Sequence, residues 1–265
     1  MVRAAELRYG SKICPAFGGE MSIPVAMYVR TFVNKILAPS ATGFRELLLM
    51  GEEILTNEVP GVVVECGCYR GGSTATLSAA CRKANRRLHV FDSFCGLPEP
   101  SAQDASHTVL SDSEIHRYTK GAFAGSLDMV KSNVSRFGAI NACEFWPGYF
   151  EDTLPRFKEQ VAVAFCDVDL VVSLKTCIQY LWPLMPDGAV LFTHEAHHLE
   201  IAKLFHDDSW WGTVLQTKAP GLIGSGSGLG LSRTRHGYYG SSLGLVRKNP
   251  LVTKVSNEGI SVGAT

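Results

Sequence analysis

The sequence carries no excess charge of either sign: 25 Lys and Arg face 25 Asp and Glu, and charged residues make up only 19% of the 265. A duplex-binding protein replaces condensed counterions with surplus cations, and a polybasic segment grips anionic lipid in the same way, so neither nucleic acid nor a membrane is expected as a partner. No apolar run approaches the roughly 18 residues of a spanning helix. The start of the chain (MVRAAELRYGSK) never develops the apolar region of a secretory signal. Eight cysteines, at 14, 66, 68, 81, 95, 143, 166 and 177, include no CxxC pair. Cys66-x-Cys68 is too close for a zinc-ribbon knuckle, and several of the others lie in apolar runs where a thiol behaves as a small hydrophobe. The expectation is a cytoplasmic protein with reduced thiols. There is no internal repeat. Hydrophobic residues, at 46%, are ample for the core of one α/β domain with extensions.

Residues 42–55 (TGFRELLLMGEEIL) read as an amphipathic helix with Thr42 as its N-cap. Val62 to Val64 begins a buried strand, Ser73 opens a helix through about Ala84, and Leu88 to Phe91 is a second strand ending at Asp92. Residues 96–125, rich in Pro, Ser, Asp and Gly, show little periodicity and read as a functional lid. Ser126 to Phe137 is helical. Strands follow at Cys143 to Trp146, Val161 to Cys166 and Ala189 to Thr193, with a helix from Leu174 to Leu184 before the last of these. A helix over Leu199 to Phe205 and a final strand at Leu243 to Val246 complete the pattern. Such alternation predicts an α/β fold of the Rossmann-like type, a mostly parallel central sheet with helices on both faces and the ligand at the carboxyl ends of the strands. Glu65, Asp92, Asp167, His194 and Glu195 all fall at or just past such ends.

Three of these ends carry recognisable patterns. Glu65 to Ser73 is a strand, a glycine-rich turn and a helix start, where free N–H groups meet a close backbone approach. It is neither GxGxxG nor a P-loop, and an ordinary strand–helix turn remains open. Asp92, 25 positions after Gly67 and at the end of the second strand, is placed to bind ribose hydroxyls. His194-Glu195-Ala196-His197-His198 spells HExxH, which in zinc hydrolases needs both histidines one turn apart on a helix. Here a strand runs straight into His194, and His197 and His198 read as solvated residues at a helix start. His116-Arg117-Tyr118 in the lid leaves two readings open, an acceptor contact and exposed loop without a partner, the second at least equal to the first. Of Trp210-Trp211, at least one is expected to pack.

ECGCYRGGS, FDSFCGLPEP, PGYFEDTLP and CDVDL followed by PDGAVLFTHE, in that order, resemble the macrocin O-methyltransferase family over about Gly61 to His198. The family uses S-adenosylmethionine to methylate sugar hydroxyls of macrolides and related natural products. The resemblance implies a methyltransferase domain over 59–250, a helical extension or lid over 1–58 and a tail over 251–265. It places Glu65, Cys66, Gly67, Cys68, Tyr69, Arg70, Gly71, Gly72 and Ser73 around the methionine part of the cofactor. Asp92 then holds the ribose, Ser93 and Phe94 line the adenine side, and Ser126, Gly148, Tyr149, Phe150 and Asp167 complete the pocket. Asp169 matches the base that takes the proton of a small-molecule hydroxyl acceptor, and assembly into homo-oligomers is implied. The family's metal sits on the match of Asp167 and on an Asp-Asp pair. His194-Glu195 replaces that pair, so that Asp167, His194 and Glu195 suit Mn²⁺, Zn²⁺ or Fe²⁺ better than Mg²⁺. Val171-Val172 also replaces a Tyr-Glu of the family. These departures leave two alternatives, a degenerate cofactor-binding protein and a zinc hydrolase.

Overall fold

A computed structural model describes residues 42–110, 114–229, 232–234, 237–239 and 241–249. The proposed extension before residue 42 and the tail after 250 lie outside the described residues. No helix among them is long and apolar enough to cross a membrane.

Helix α1 (Phe44–Thr56) leads into β1 (Val62–Cys66), α2 (Gly72–Lys83) and β2 (Leu88–Asp92). A small hairpin, β3 (Ser106–Thr108) and β4 (Ile115–Arg117), precedes α3 (Leu127–Phe137), β5 (Cys143–Pro147) and the one-turn α4 (Phe150–Thr153). Then come β6 (Val161–Cys166), α5 (Val171–Leu181), β7 (Val190–Thr193), α6 (Leu199–Leu204) and α7 (Asp208–Leu215). Strands β8 (Ser232–Thr234) and β9 (Gly237–Tyr239) pair with each other, and β10 (Gly244–Arg247) ends the described chain.

The main sheet has the order β10-β7-β6-β1-β2-β5, parallel except for β10, which runs against β7. Its central strands, VVVEC and VAVAFC, are apolar on consecutive residues because helices cover both faces. Val64, Cys66, Ala164 and Cys166 enter one core with α5, while Val63, Val163 and Phe165 enter the other with α1 and α2. Leu47, Met50 and Ile54 of α1 are buried in that second core, so the described part of the expected extension is integral to the domain. The seven described cysteines are free and five are buried, as core thiols should be; Cys95 is exposed.

Four local expectations change. Gly43, not Thr42, caps α1, and its N–H donates to the Glu46 carboxylate at 2.5 Å. Helix α5 begins at Val171, three residues before the reading from periodicity, because its first N–H groups are capped from a distant loop. Asp104 accepts from Val171 N (2.8 Å) and Val172 N (3.0 Å). The same Asp104 holds His107 Nε2 at 3.0 Å, so the segment read as an irregular lid contains a hairpin pinned to the domain. Trp210 and Trp211 sit inside α7 rather than after the last helix. Its N-cap Asp207 accepts from Trp210 N, and the buried Trp211 donates its indole N–H to Leu204 O.

Candidate active site

At the carboxyl ends of β1, β2, β6 and β7 the strands open onto a cleft of about 310 Å³. The turn after β1 is held open by geometry that only glycine satisfies. Gly67 has φ +82°, and a Cβ there would stand 1.9 Å from the carbonyl oxygen of Asp167 on the neighbouring strand end. Gly71, also left-handed, then starts α2. Along this side Gly67, Tyr69, Asp92 and Ser93 line the cleft, joined by Tyr149 and Phe150 from the end of the neighbouring β5. Asp92 is fixed by backbone: Oδ2 accepts from Cys68 N and Oδ1 from Phe94 N, each at 2.7 Å. Each oxygen keeps further acceptor capacity toward the cleft.

Glu65 is fully buried beneath the turn. Ser73 Oγ donates to its Oε1 at 2.6 Å, while Oε2 has no partner. Burial, with the negative charges of Asp167 and Asp92, pushes its carboxyl up to about 8 despite the Ser73 bond. A buried acid with one orphaned oxygen is suited to receiving a cationic group.

The other side is acidic. Asp167 follows β6, and Asp169 stands two residues on with φ +61°, a strained conformation for a non-glycine residue. His194 and Glu195 follow β7. His194 Nδ1 lies 2.9 Å from Glu195 Oε1 and 3.5 Å from Asp167 Oδ1, and its Nε2 lies 3.5 Å from Glu46 Oε2. Burial pushes Asp169 up to about 9 and Asp167 to about 7, with Glu195 adding to both and His194 opposing. Burial works against the charged His194, yet Asp167, Glu195 and Glu46 together hold its ring well above the usual histidine range. Three carboxyl groups around one imidazole, with Asp169 close by, exceed what a single cation neutralises. Donor atoms of Asp167, His194 and Glu195 lie within 4.8 Å of one another, a set able to share one divalent ion.

The remaining expected site residues divide. Cys66 and Cys68 turn into the two cores, Gly72 and Ser73 are buried at the start of α2, and Arg70 lies exposed over the Tyr69 ring. Phe94 packs toward Phe145, Gly148 makes the turn whose N–H donates to Asp92 O, and neither lines the cleft. Ser126 is exposed, is not among the residues lining the cleft, and caps α3 by accepting from Met129 N.

The HExxH reading fails on geometry. His194 ends a strand and His198 caps α6, so the two histidines do not share a helix face, and His198 Nδ1 sits 3.3 Å from the Tyr118 hydroxyl. His198 and Tyr118 are buried rather than solvated, and both line the cleft beside His116 and His197. His116 and Tyr118 reach it from the hairpin, which no local pattern announced, and His197 and His198 from the turn into α6. Glu46 was also missed, since its partners lie far along the chain. Ser241 Oγ, Ser242 N and Leu243 N all donate to its Oε1.

The profile of the macrocin O-methyltransferase (TylF) family matches residues 41–207. An 8-demethyl-8-(2,3-dimethoxy-alpha-L-rhamnosyl)-tetracenomycin-C 4'-O-methyltransferase of Streptomyces olivaceus is 38% identical over 146 residues, 53% of this chain and 55% of that protein. A mycinamicin III 3''-O-methyltransferase of Micromonospora griseorubida is 31% identical over 143 residues, 52% of this chain and 56% of that protein. The chain thus spans about half the length of the curated relatives it matches. The solved O-methyltransferase NovP superposes with a TM-score of 0.55 at 21% identity, covering 78% of this chain and 81% of its own, a likeness of fold. With the strand order, the turn after β1 and the family profile in agreement over 41–207, the chain belongs to the macrocin O-methyltransferase family.

Proposed function

We propose that the protein is an S-adenosylmethionine-dependent O-methyltransferase acting on a sugar hydroxyl of a glycosylated small molecule. The observation that carries this is one cleft with Asp92 fixed on one side and Asp167, Asp169, His194 and Glu195 gathered on the other. S-adenosylmethionine, when bound, supplies an electrophilic methyl on a sulfonium with a neutral thioether as leaving group. Asp92 would hold the ribose hydroxyls, Glu65 beneath the turn would balance the charge of the methionine end, and Tyr69 and Phe150 would exclude water. The acceptor hydroxyl is a poor nucleophile until its proton departs, and Asp169 takes that proton as attack proceeds. Holding the two reactants in line supplies much of the remaining acceleration.

With its carboxyl near 9, Asp169 is protonated at neutral pH until further positive charge enters the acidic cluster. Asp167, His194 and Glu195 would hold a divalent ion such as Mn²⁺ or Zn²⁺. When bound, that ion lowers the pKa of a hydroxyl beside it and relieves the repulsion on Asp169. The rhamnosyl acceptor named for the Streptomyces olivaceus relative supports a deoxysugar as the acceptor. A cytoplasmic location and a homo-oligomeric state complete the proposal.

The test is transfer of labelled methyl from S-adenosylmethionine to rhamnosylated aromatic and macrolide acceptors, with and without chelator. Transfer that Asp169→Asn abolishes is expected. Cofactor binding without transfer to any such hydroxyl overturns the acceptor assignment and supports a degenerate binder.

A further inference from the structure

The residue that completes the acidic cluster lies on the helix before the sheet. Glu46 of α1 is buried, and all its other hydrogen-bond partners are donors. Its Oε2 accepts from Gly43 N at 2.5 Å, and its Oε1 accepts from Ser241 Oγ, from Ser242 N at 2.9 Å and from Leu243 N at 3.2 Å. A carboxylate in that setting is an acceptor only. A ring nitrogen that faces it is favoured as a donor, and the nitrogen that faces it is His194 Nε2, 3.5 Å from Oε2. The other ring nitrogen, Nδ1, faces Asp167 and lies 2.9 Å from Glu195 Oε1, so in the ion-free protein it carries a proton too, which an ion taking that place displaces.

We infer that Glu46 is a positioning residue that fixes the tautomer of His194, keeping the proton on Nε2 and turning the Nδ1 lone pair toward an ion shared with Asp167 and Glu195. This rests on the reading of Asp167, His194 and Glu195 as an ion-binding set. A histidine ligand whose second nitrogen donates to a carboxylate is oriented and made more basic by it. Glu46 does so from a helix outside the strand–turn motifs. Through Ser241 to Leu243 it also ties the edge of the sheet beside β10 to the same imidazole. A nitrogen donor fixed in this way favours Mn²⁺ or Zn²⁺ over Mg²⁺.

Glu46→Gln tests the idea with little change of shape. The amide oxygen still serves the donors of residues 241–243, but an NH₂ now faces Nε2 and also Gly43 N, whose lost acceptor is a cost that thermal melting reads. That favours the opposite tautomer, with the proton on Nδ1. Wild type, Glu46→Gln and His194→Ala are each titrated calorimetrically with Mn²⁺ alone and Zn²⁺ alone. S-adenosylhomocysteine affinity and thermal melting serve as controls. The expected result is 10- to 100-fold weaker ion binding by Glu46→Gln, on the order seen when such outer partners are removed, with S-adenosylhomocysteine affinity unchanged. Nitrogen-15 spectra of the zinc-loaded wild type should show the His194 proton on Nε2, a readout that needs no variant to fold. Wild-type ion affinity in Glu46→Gln, or the proton on Nδ1 in the loaded wild type, overturns the role of Glu46. No ion binding by wild type, or undiminished binding by His194→Ala, overturns the ion-site reading itself and this inference with it.

Discussion

Glu65 offers a direct test of how burial sets the chemistry of the cleft. Its carboxyl rises from 4.5 to about 8, so the folded protein holds this proton at neutral pH while the unfolded chain releases it. A folded-state value raised above the unfolded one contributes stability that is fully present below about pH 4.5 and is lost as pH rises through the folded value. At pH 7 the gap of 7 − 4.5 is 2.5 units, or about 3 kcal/mol at 1.36 kcal/mol per unit. Glu65→Gln removes that penalty. The amide keeps the Ser73 contact to Oε1, and its NH₂ takes the place of an oxygen that has no partner in the wild type. Urea unfolding of both proteins without cofactor should show the variant more stable by about 2–3 kcal/mol near pH 7 and equal to wild type near pH 4. The same variant should bind S-adenosylhomocysteine more weakly, having lost an acid that ionises when a cation arrives. A variant no more stable near pH 7, or one whose gain is the same at both pH values, refutes the argument.

Other consequences follow from the same geometry. Asp169→Asn should lower kcat by at least about 100-fold with cofactor affinity unchanged, read from single-turnover transfer and calorimetry. Because the Asp169 carboxyl lies near 9, activity in chelator should climb as pH rises toward that value, and added Mn²⁺ should move the rise to lower pH; a pH–rate profile indifferent to the ion contradicts this. Gly67→Ala places a Cβ 1.9 Å from Asp167 O at a left-handed φ, and should lose about 2–4 kcal/mol of stability in urea titration as well as cofactor binding. Asp104→Ala uncaps α5 and frees the hairpin. It should cost about 1–2 kcal/mol and raise the acceptor KM more than it lowers kcat.

The central strands were legible because parallel strands buried on both faces read as unbroken apolar runs, and the polar residues that ended those runs proved to line or underlie one cleft. The hairpin was not legible. Three-residue strands are too short for periodicity to register, and the contacts that hold them, Asp104 to Val171 and Thr108 N to Glu200 Oε2, join distant segments. Tyr118, just past the hairpin, is buried at the cleft rather than exposed, and His198, the cap of α6, is buried there rather than solvated, whereas His116 lines the cleft and is exposed. Helix α7 was hidden by Gly212 and the paired tryptophans, though Asp207 and Asp208 gave a cap and an acidic first turn. Glu46 stands 195 positions from Ser241, a pairing only the folded chain makes.

Calorimetric titration with S-adenosylmethionine, comparing wild type with Asp92→Ala, tests the central claim most directly. Asp92 accepts from two backbone N–H groups as well as facing the cleft, so a melting curve of the variant must accompany it. The account predicts micromolar binding at one site per chain, weakened at least about tenfold in a folded Asp92→Ala variant, the loss of roughly 1.4 kcal/mol or more. No binding by wild type, or equal binding by both proteins, contradicts the placement of the cofactor in this cleft.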